Sequence, residues 1–161
     1  MSDRFIEIDL CRQELRVIDQ DRLIRRFSVS TSRYGPGERA GSECTPRGAH
    51  VIRALIGQGL PAGACLVGRR FTGEVWTPEL VRAEPDRDWI LSRIIWLSGC
   101  ERGRNRLGAV DTMRRYIYIH GTPDSKSMSV PFSHGCIRMR NGDVIELFAM
   151  VTPGMPVKVL A

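Results

Sequence analysis

Ser133-His134-Gly135-Cys136-Ile137-Arg138-Met139 follows Ile119-His120-Gly121-Thr122 after a short spacer, so one cysteine and two histidines fall within seventeen residues. A cysteine attacks as its thiolate and needs a base to become a good nucleophile. A glycine beside the nucleophile lets the backbone approach a carbonyl closely. It can also leave main-chain N–H groups to hold the oxyanion formed on attack. The pattern reads as acyl transfer through Cys136, with His120 as the base. Tyr116-Ile117-Tyr118-Ile119 reads as a strand that delivers His120 at its end. His134 and Ser133 are supporting candidates. Arg138 is a candidate for favouring the thiolate, for clamping a substrate carboxylate or for bracing the loop.

Outward from the motif, the chain alternates polar and apolar residues in the period of strands. This holds over Phe5 to Leu10, Glu14 to Ile18 and Leu23 to Val29, with Asp19-Gln20-Asp21 as a turn. Ser32 to Cys44 reads as a long loop, Gly48 to Leu55 as the next strand and Pro61 to Thr77 as turn-rich. Trp89 to Leu97 fits a buried strand or a short helix, and Gly99 to Gly108 a basic exposed loop. After the cysteine, Asn141 is a helix N-cap candidate with Asp143 in the first turn. Val144, Leu147, Phe148 and Val151 repeat at helical spacing until Pro153-Gly154 stops them. Many strands and one short helix after the cysteine predict a mainly β domain.

At 161 residues the chain is one domain's worth, residues 1–161. Its 42% apolar and 26% charged residues are ordinary for a globular protein, and no apolar run is long enough for a membrane span. Acids near Met1 stand where a signal peptide needs an apolar core, which predicts a cytoplasmic location. The alternative is the periplasm or cell wall, with a leader removed. Cys11, Cys44, Cys65, Cys100 and Cys136 are scattered and odd in number, against a disulfide framework or a zinc ribbon. His-x-Cys is not the usual ligand spacing, so no metal and no cofactor is expected. His50, inside an apolar strand, reads as structural. The net charge is +6, with 22 arginines and only Lys126 and Lys158 as lysines. With no recognition motif and few aromatics, nucleic acid is not an expected partner. Arginine forks suit carboxylates.

The run from Ser133 to Arg138, with His120-Gly121 upstream, resembles the L,D-transpeptidase (YkuD-type) catalytic domain. Thr45-Pro46-Arg47-Gly48, the opening strands and Val157-Lys158-Val159-Leu160 extend the resemblance over nearly the whole chain. It implies a β-sandwich or barrel-like sheet pair. It also implies a peptidoglycan tetrapeptide stem as substrate, with Cys136 attacking the carbonyl between diaminopimelate and the terminal D-alanine. In that family a main-chain carbonyl of the residue after the histidine orients its ring, here that of Gly121. The N–H groups of Gly135 and Cys136 would hold the oxyanion. The thioester is resolved either by water, which is L,D-carboxypeptidation in muropeptide recycling, or by an amine, which cross-links two diaminopimelate residues. The absence of an export signal favours the first. A rival of another class is a peptidoglycan-binding module that keeps the fold and has lost the chemistry; intact Cys136, His120 and Gly135 argue against it. The ten arginines between Arg69 and Arg115 predict that this segment walls the cleft and prefers an acidic peptide. Oligomeric state is left open.

Overall fold

The computed structural model describes residues 3–161; the expectation drawn from Met1 and Ser2 lies outside the described residues. The alternating segments are strands. β1 (Phe5–Asp9), β2 (Glu14–Asp19) and β3 (Arg22–Ser28) form an antiparallel meander; β1 and β2 bury alternate residues, whereas β3 buries only Phe27 and leaves Leu23 and Ile24 exposed. Gln20 and Asp21, at φ 50° and 64°, make the two-residue turn between β2 and β3. β4 (Gly48–Ile56) follows, then β5 (Ala64–Val67) and β6 (Arg70–Val75), then β7 (Ile90–Gly99), β8 (Tyr118–Thr122), β9 (Ile137–Arg140) and β10 (Pro156–Leu160). The ten strands join in one curled, half-barrel sheet in the order β3-β2-β1-β10-β4-β7-β5-β6, with β8 added on β7 and β9 on β8. Trp89 to Leu97, ambiguous in sequence, is therefore mainly strand.

The helix after the cysteine is α2 (Asn141–Phe148). Val144, Leu147 and Phe148 are buried on its inner face and Val151 just beyond its end. They join Ile6, Ile8, Leu15, Ile95, Ile119, Ile137 and Met139 in the main core. A second helix, α1 (Pro78–Ala83), adds to the one expected from the sequence. Its signals are nevertheless in the sequence: Thr77 Oγ1 accepts from Leu80 N at 3.0 Å, Pro78 opens the helix and Glu79 sits in its first turn. The turn-rich stretch before it holds the β5–β6 hairpin. His50 is buried in β4, with Nδ1 3.0 Å from Gly48 O and Nε2 2.9 Å from Thr112 Oγ1, as a structural histidine should be.

Asn141 departs from expectation. It is the first helical residue, not the cap; Arg140 holds the cap position and makes no side-chain cap bond. β9 runs straight into α2, which turns Asn141 into the protein rather than along the helix end. There Nδ2 donates to Thr122 O at 2.9 Å and Asp124 Oδ1 at 3.1 Å, and Oδ1 accepts from Ser92 Oγ at 2.6 Å. Ser92 lies in a bulge of β7 at φ 71° and accepts from Gly63 N at 2.8 Å. This knot presses on Gly121, where a Cβ would stand 2.4 Å from Asn141 Oδ1 and 2.6 Å from Leu91 O. Real side chains do not approach that closely, and the Leu91 atom is backbone. Gly121→Ala is therefore expected to lower stability by roughly 1–3 kcal/mol, the usual cost of overpacking, read as a lower urea midpoint at unchanged slope.

Candidate active site

β8 and β9 lie side by side and parallel, pairing Ile119 with Ile137, His120 with Arg138 and Gly121 with Met139. Alternate residues of a strand face opposite sides. Ile119, Ile137 and Met139 enter the main core, which leaves His120 and Arg138 on the other face. Tyr118 and Cys136, two residues back on each chain, fall on that face too and pack with Leu66 and Ile94 in a satellite cluster. His120 is thus the middle residue of β8 rather than the end of a strand. Tyr116, with φ 56°, lies outside β8.

The Cys136 sulfur touches main chain on both sides. Tyr118 N–H donates to Sγ at 3.3 Å, and Sγ–H donates to Tyr116 O at 3.4 Å. Burial pushes the thiol up to about 12. The Tyr118 N–H, Arg138 and Arg115 pull it down and Asp88 pushes it further up, but burial dominates. Arg138 thus favours the thiolate, as expected of it, but burial outweighs it. His120 is 1% exposed, and its Nδ1 lies 2.7 Å from Gly121 O. Donation from Nδ1 to that carbonyl leaves Nε2 as the basic nitrogen. Burial lowers the pKa of the ring, with Asp88 and the Gly121 carbonyl opposing it. Both groups are thus uncharged at neutral pH.

The loop before Cys136 is held from outside. Ser133 Oγ donates to Cys136 O at 2.6 Å and accepts from Gly135 N at 3.2 Å, so the Gly135 N–H expected to face an oxyanion is already engaged. Gly135 has φ 124°, where a Cβ would also meet Ile117 Cδ1 at 3.2 Å and Cys44 O at 3.3 Å. Thr45 Oγ1 donates to Gly135 O at 2.9 Å. Arg115 Nη2 donates to Cys44 O at 2.6 Å, bracing the segment that contacts Gly135. His134 is exposed, with Nδ1 3.4 Å from Glu43 Oε2 and its ring edge-on to Tyr34.

Two hollows adjoin the site. One of about 550 Å³ is lined by Cys136, Arg69, Arg115, Tyr116 and Tyr118. The Arg69 guanidinium lies 4.6 Å from the Trp96 ring centroid and 5.2 Å from that of Tyr116, and it donates to Tyr118 OH at 3.1 Å. The other, of about 390 Å³, lies along Trp89, Thr122, Lys126 and Arg138; Asp88 and His134 line both. The segment from Arg69 to Arg115 therefore contributes walls through Arg69, Arg87, Asp88 and Arg115. Arg102 and Arg106 line a separate surface hollow, and exposed Arg104 pairs with Glu101. Among the described residues, no three His, Cys, Asp or Glu side chains gather as a metal site would require, and no helix is long and apolar enough to cross a membrane.

Asp88 and Trp89 are wall residues to which the sequence reading gives no role, and Asn141 and Thr45 stand out there for other reasons, as a helix cap and as part of the Thr-Pro-Arg-Gly turn. Arg115 belongs to the arginine-rich segment expected to wall the cleft, and it does line the hollow at Cys136.

A buried neutral histidine and a half-buried neutral thiol bound stability on opposite sides. His120 and His50 both have pKa values lowered by burial, so the unfolded chain binds protons first. Their contribution is full above about pH 6.5 and is lost as pH falls below it. Cys136 is raised from 9.0 to about 12, so its contribution is full below pH 9.0 and is lost as pH climbs towards 12. Urea midpoints across pH should fall at both ends, and Cys136→Ala should flatten the alkaline fall while leaving the acid one.

A model of the L,D-transpeptidase catalytic domain (YkuD) matches residues 3–159. Among solved structures, an L,D-transpeptidase from Mycobacterium smegmatis is 16% identical with a TM-score of 0.58; the match covers 99% of this chain and 59% of that one. L,D-transpeptidase 3 from Mycobacterium tuberculosis, solved with a faropenem-derived adduct, is 15% identical with a TM-score of 0.61 and coverage of 99% and 61%. The L,D-transpeptidase from Xylanimonas cellulosilytica is 20% identical with a TM-score of 0.55 and coverage of 98% and 60%. At these identities the likeness is one of fold, and this chain spans about three fifths of the length of those structures. No curated protein matches the chain.

Proposed function

Because this chain belongs to the L,D-transpeptidase catalytic-domain family, we propose that it is a cysteine acyl-transfer enzyme that opens the diaminopimelate–D-alanine bond of peptidoglycan tetrapeptide stems. The observation that carries the reading is the pairing of β8 with β9, which sets His120 and Cys136 on one face with the imidazole oriented by Gly121 O. Cys136 Sγ attacks the scissile carbonyl while its proton passes to His120 Nε2. A thiol pushed up to about 12 does not ionise beforehand, so proton removal accompanies attack. The oxyanion falls to the Cys136 N–H, which the Gly135 N–H joins by exchanging Ser133 Oγ for it. The imidazolium then protonates the departing D-alanine amine, leaving a thioester on Cys136.

Water resolves that thioester in our reading, which makes the reaction an L,D-carboxypeptidation. Arg69 and Arg115 face the hollow at Cys136 against the single carboxylate of Asp88, and this excess of positive charge disfavours an incoming ammonium group. Five unpaired cysteines suit a reducing compartment, as trimming of recycled stems in the cytoplasm would have it. Resolution by an amine would instead give a cross-link between two diaminopimelate residues.

The test is incubation of the purified protein with disaccharide tetrapeptide, with products weighed by mass spectrometry. Tripeptide with release of D-alanine is expected; a dimer would assign the amine route, and no product at all would return the rival of a non-catalytic binding module. Cys136→Ala is expected to abolish turnover while the urea midpoint at neutral pH stays within the folded range, and retained activity would overturn the nucleophile. His120→Ala should cost on the order of 10²-fold or more in kcat. His134→Ala should cost less, because its exposed ring is engaged with Glu43; the reverse order would exchange the roles of the two histidines.

A further inference from the structure

We infer that the hollow of about 390 Å³ beside the Cys136 face is a carboxylate-binding subsite, in which the indole N–H of Trp89 and the Nε–H of Arg138 hold a carboxylate of the peptide substrate. The inference rests on the reading of the protein as a peptide acyl-transferase and names what that reading leaves open, the part of the substrate that is recognised.

Two buried donors without an acceptor carry it. Trp89 is 6% exposed, packs with Cys65 and Leu91, and has the Arg87 guanidinium 4.3 Å over its ring, yet its Nε1 is buried with no hydrogen-bond partner. A buried indole N–H ordinarily finds an acceptor. Arg138 has the same feature. Its Nη2 stands 3.6 Å from Asp88 Oδ1, a loose ion pair, while its Nε is buried and unpartnered. Both residues line the one hollow, and their two N–H groups lie just behind its surface, so an acceptor entering there reaches them once the rim side chains shift. The charges around the hollow say which kind. Arg33, Lys126 and Arg138 line it and also line the smaller adjoining hollow beside Phe132. The charge of Arg87 is spent on Glu74 and Glu84. Asp86 and Asp88 are the acids at its wall, and Asp88 is largely exposed. Three cations against two acids, with two unsatisfied N–H groups, fit an anionic acceptor. A carboxylate answers a guanidinium edge in the geometry arginine favours.

The position fits the reaction. Arg138 lies two residues beyond Cys136 on the same face, about 7 Å along the chain at strand spacing. Asp88 and His134 line both hollows, so a peptide seated at the thiol passes directly from one to the other. A residue C-terminal to the attacked carbonyl would bring its own carboxylate to that distance. The carboxylate on the side chain of diaminopimelate is the second source of the same chemistry.

Nuclear magnetic resonance of the indole N–H groups tests the subsite without needing turnover. The chain has three tryptophans, Trp76, Trp89 and Trp96, and Trp89→Phe assigns the Trp89 signal. Titration of the wild-type protein with N-acetyl-D-alanine is expected to move that signal downfield, while N-acetyl-D-alaninamide leaves it in place. On tetrapeptide, kcat/KM should favour a free terminal carboxylate over its amide by about 10–100-fold, since a site built around unpaired donors rejects a ligand that cannot satisfy them. Trp89→Phe, which keeps the ring and loses the donor, and Arg138→Lys, which keeps the charge and loses Nε–H, should each shrink that preference to a few-fold, mainly through KM. If amidating the diaminopimelate carboxylate costs the rate instead, the subsite stands and that carboxylate is its occupant. If neither acid moves the Trp89 signal and all amidated substrates are processed as well as the free acid, the subsite is overturned. A wild-type protein that turns over no stem peptide, yet shows the acid-specific shift, would overturn the functional reading and keep the subsite.

Discussion

The parallel pairing of β8 with β9 is the constraint from which the site follows. Side chains alternate along a strand, so a single register decides which residues enter the core and which enter the cleft. With Ile119 beside Ile137, three large apolar side chains are buried completely, and Tyr118, His120, Cys136 and Arg138 share the opposite face. A slip by one residue would put the histidine and the arginine into the hydrocarbon core. The burial of Ile119, Ile137 and Met139 therefore holds the chemistry in place. Two parallel neighbours cannot be joined by a tight hairpin, so residues 123–136 must travel back across the end of the sheet. That return is pinned by Ser133 N donating to Thr31 O, Arg33 N donating to Ser133 O and Thr45 donating to Gly135 O.

Burial also sets the electrical state of the pair. An ion pair of thiolate and imidazolium would need charge on a half-buried sulfur at the floor of a hollow and on a fully buried ring. Arg138 and Arg115 favour the thiolate and Asp88 opposes it, and the cost of burial exceeds their sum. The resting state is thus a thiol and a neutral imidazole on one face of the β8–β9 pair. For the proposed acyl transfer this puts the weight on orientation and on proton transfer at the moment of attack. Orientation is what the structure supplies in abundance. The ring of His120 is held by a backbone carbonyl. The peptide bearing that carbonyl is packed against Leu91 and Asn141, and Asn141 is tied to the bulge in β7 through Ser92.

The arginines divide into groups with different work. Arg4, Arg16, Arg25 and Arg47 pair with acids across strands and loops and belong to the scaffold. Arg115 braces the segment against the Cys136 loop through the main-chain carbonyls of Gly37 and Cys44, and Arg69 stacks in the aromatic wall of the hollow at the thiol. Arg102 and Arg106 lie on an exposed loop away from the cleft. A high arginine count thus said little by itself; the partner of each guanidinium is what separates wall, brace and surface.

The sequence by itself determined the mainly β class, the helix from its i, i+3, i+4, i+7 stripe, the turn at Gln20-Asp21 and, through one dense motif, the family. These signals are local, set by side chains a few residues apart. It also contains the start signals of α1, but a six-residue helix has too short an apolar stripe to announce itself. Tertiary structure alone decided that Asn141 braces the Gly121 peptide instead of capping a helix, that Thr45 and Arg115 hold the loop before Cys136, and that Asp88 stands between two hollows. Thr45 meets Gly135 across 90 residues and Ser92 meets Asn141 across 49. No periodicity spans such distances. Whether a polar side chain ends as a cap, a brace or a rim depends on which distant strand the sheet sets beside it, and whether a cysteine rests as thiol or thiolate depends on how completely the fold removes it from water.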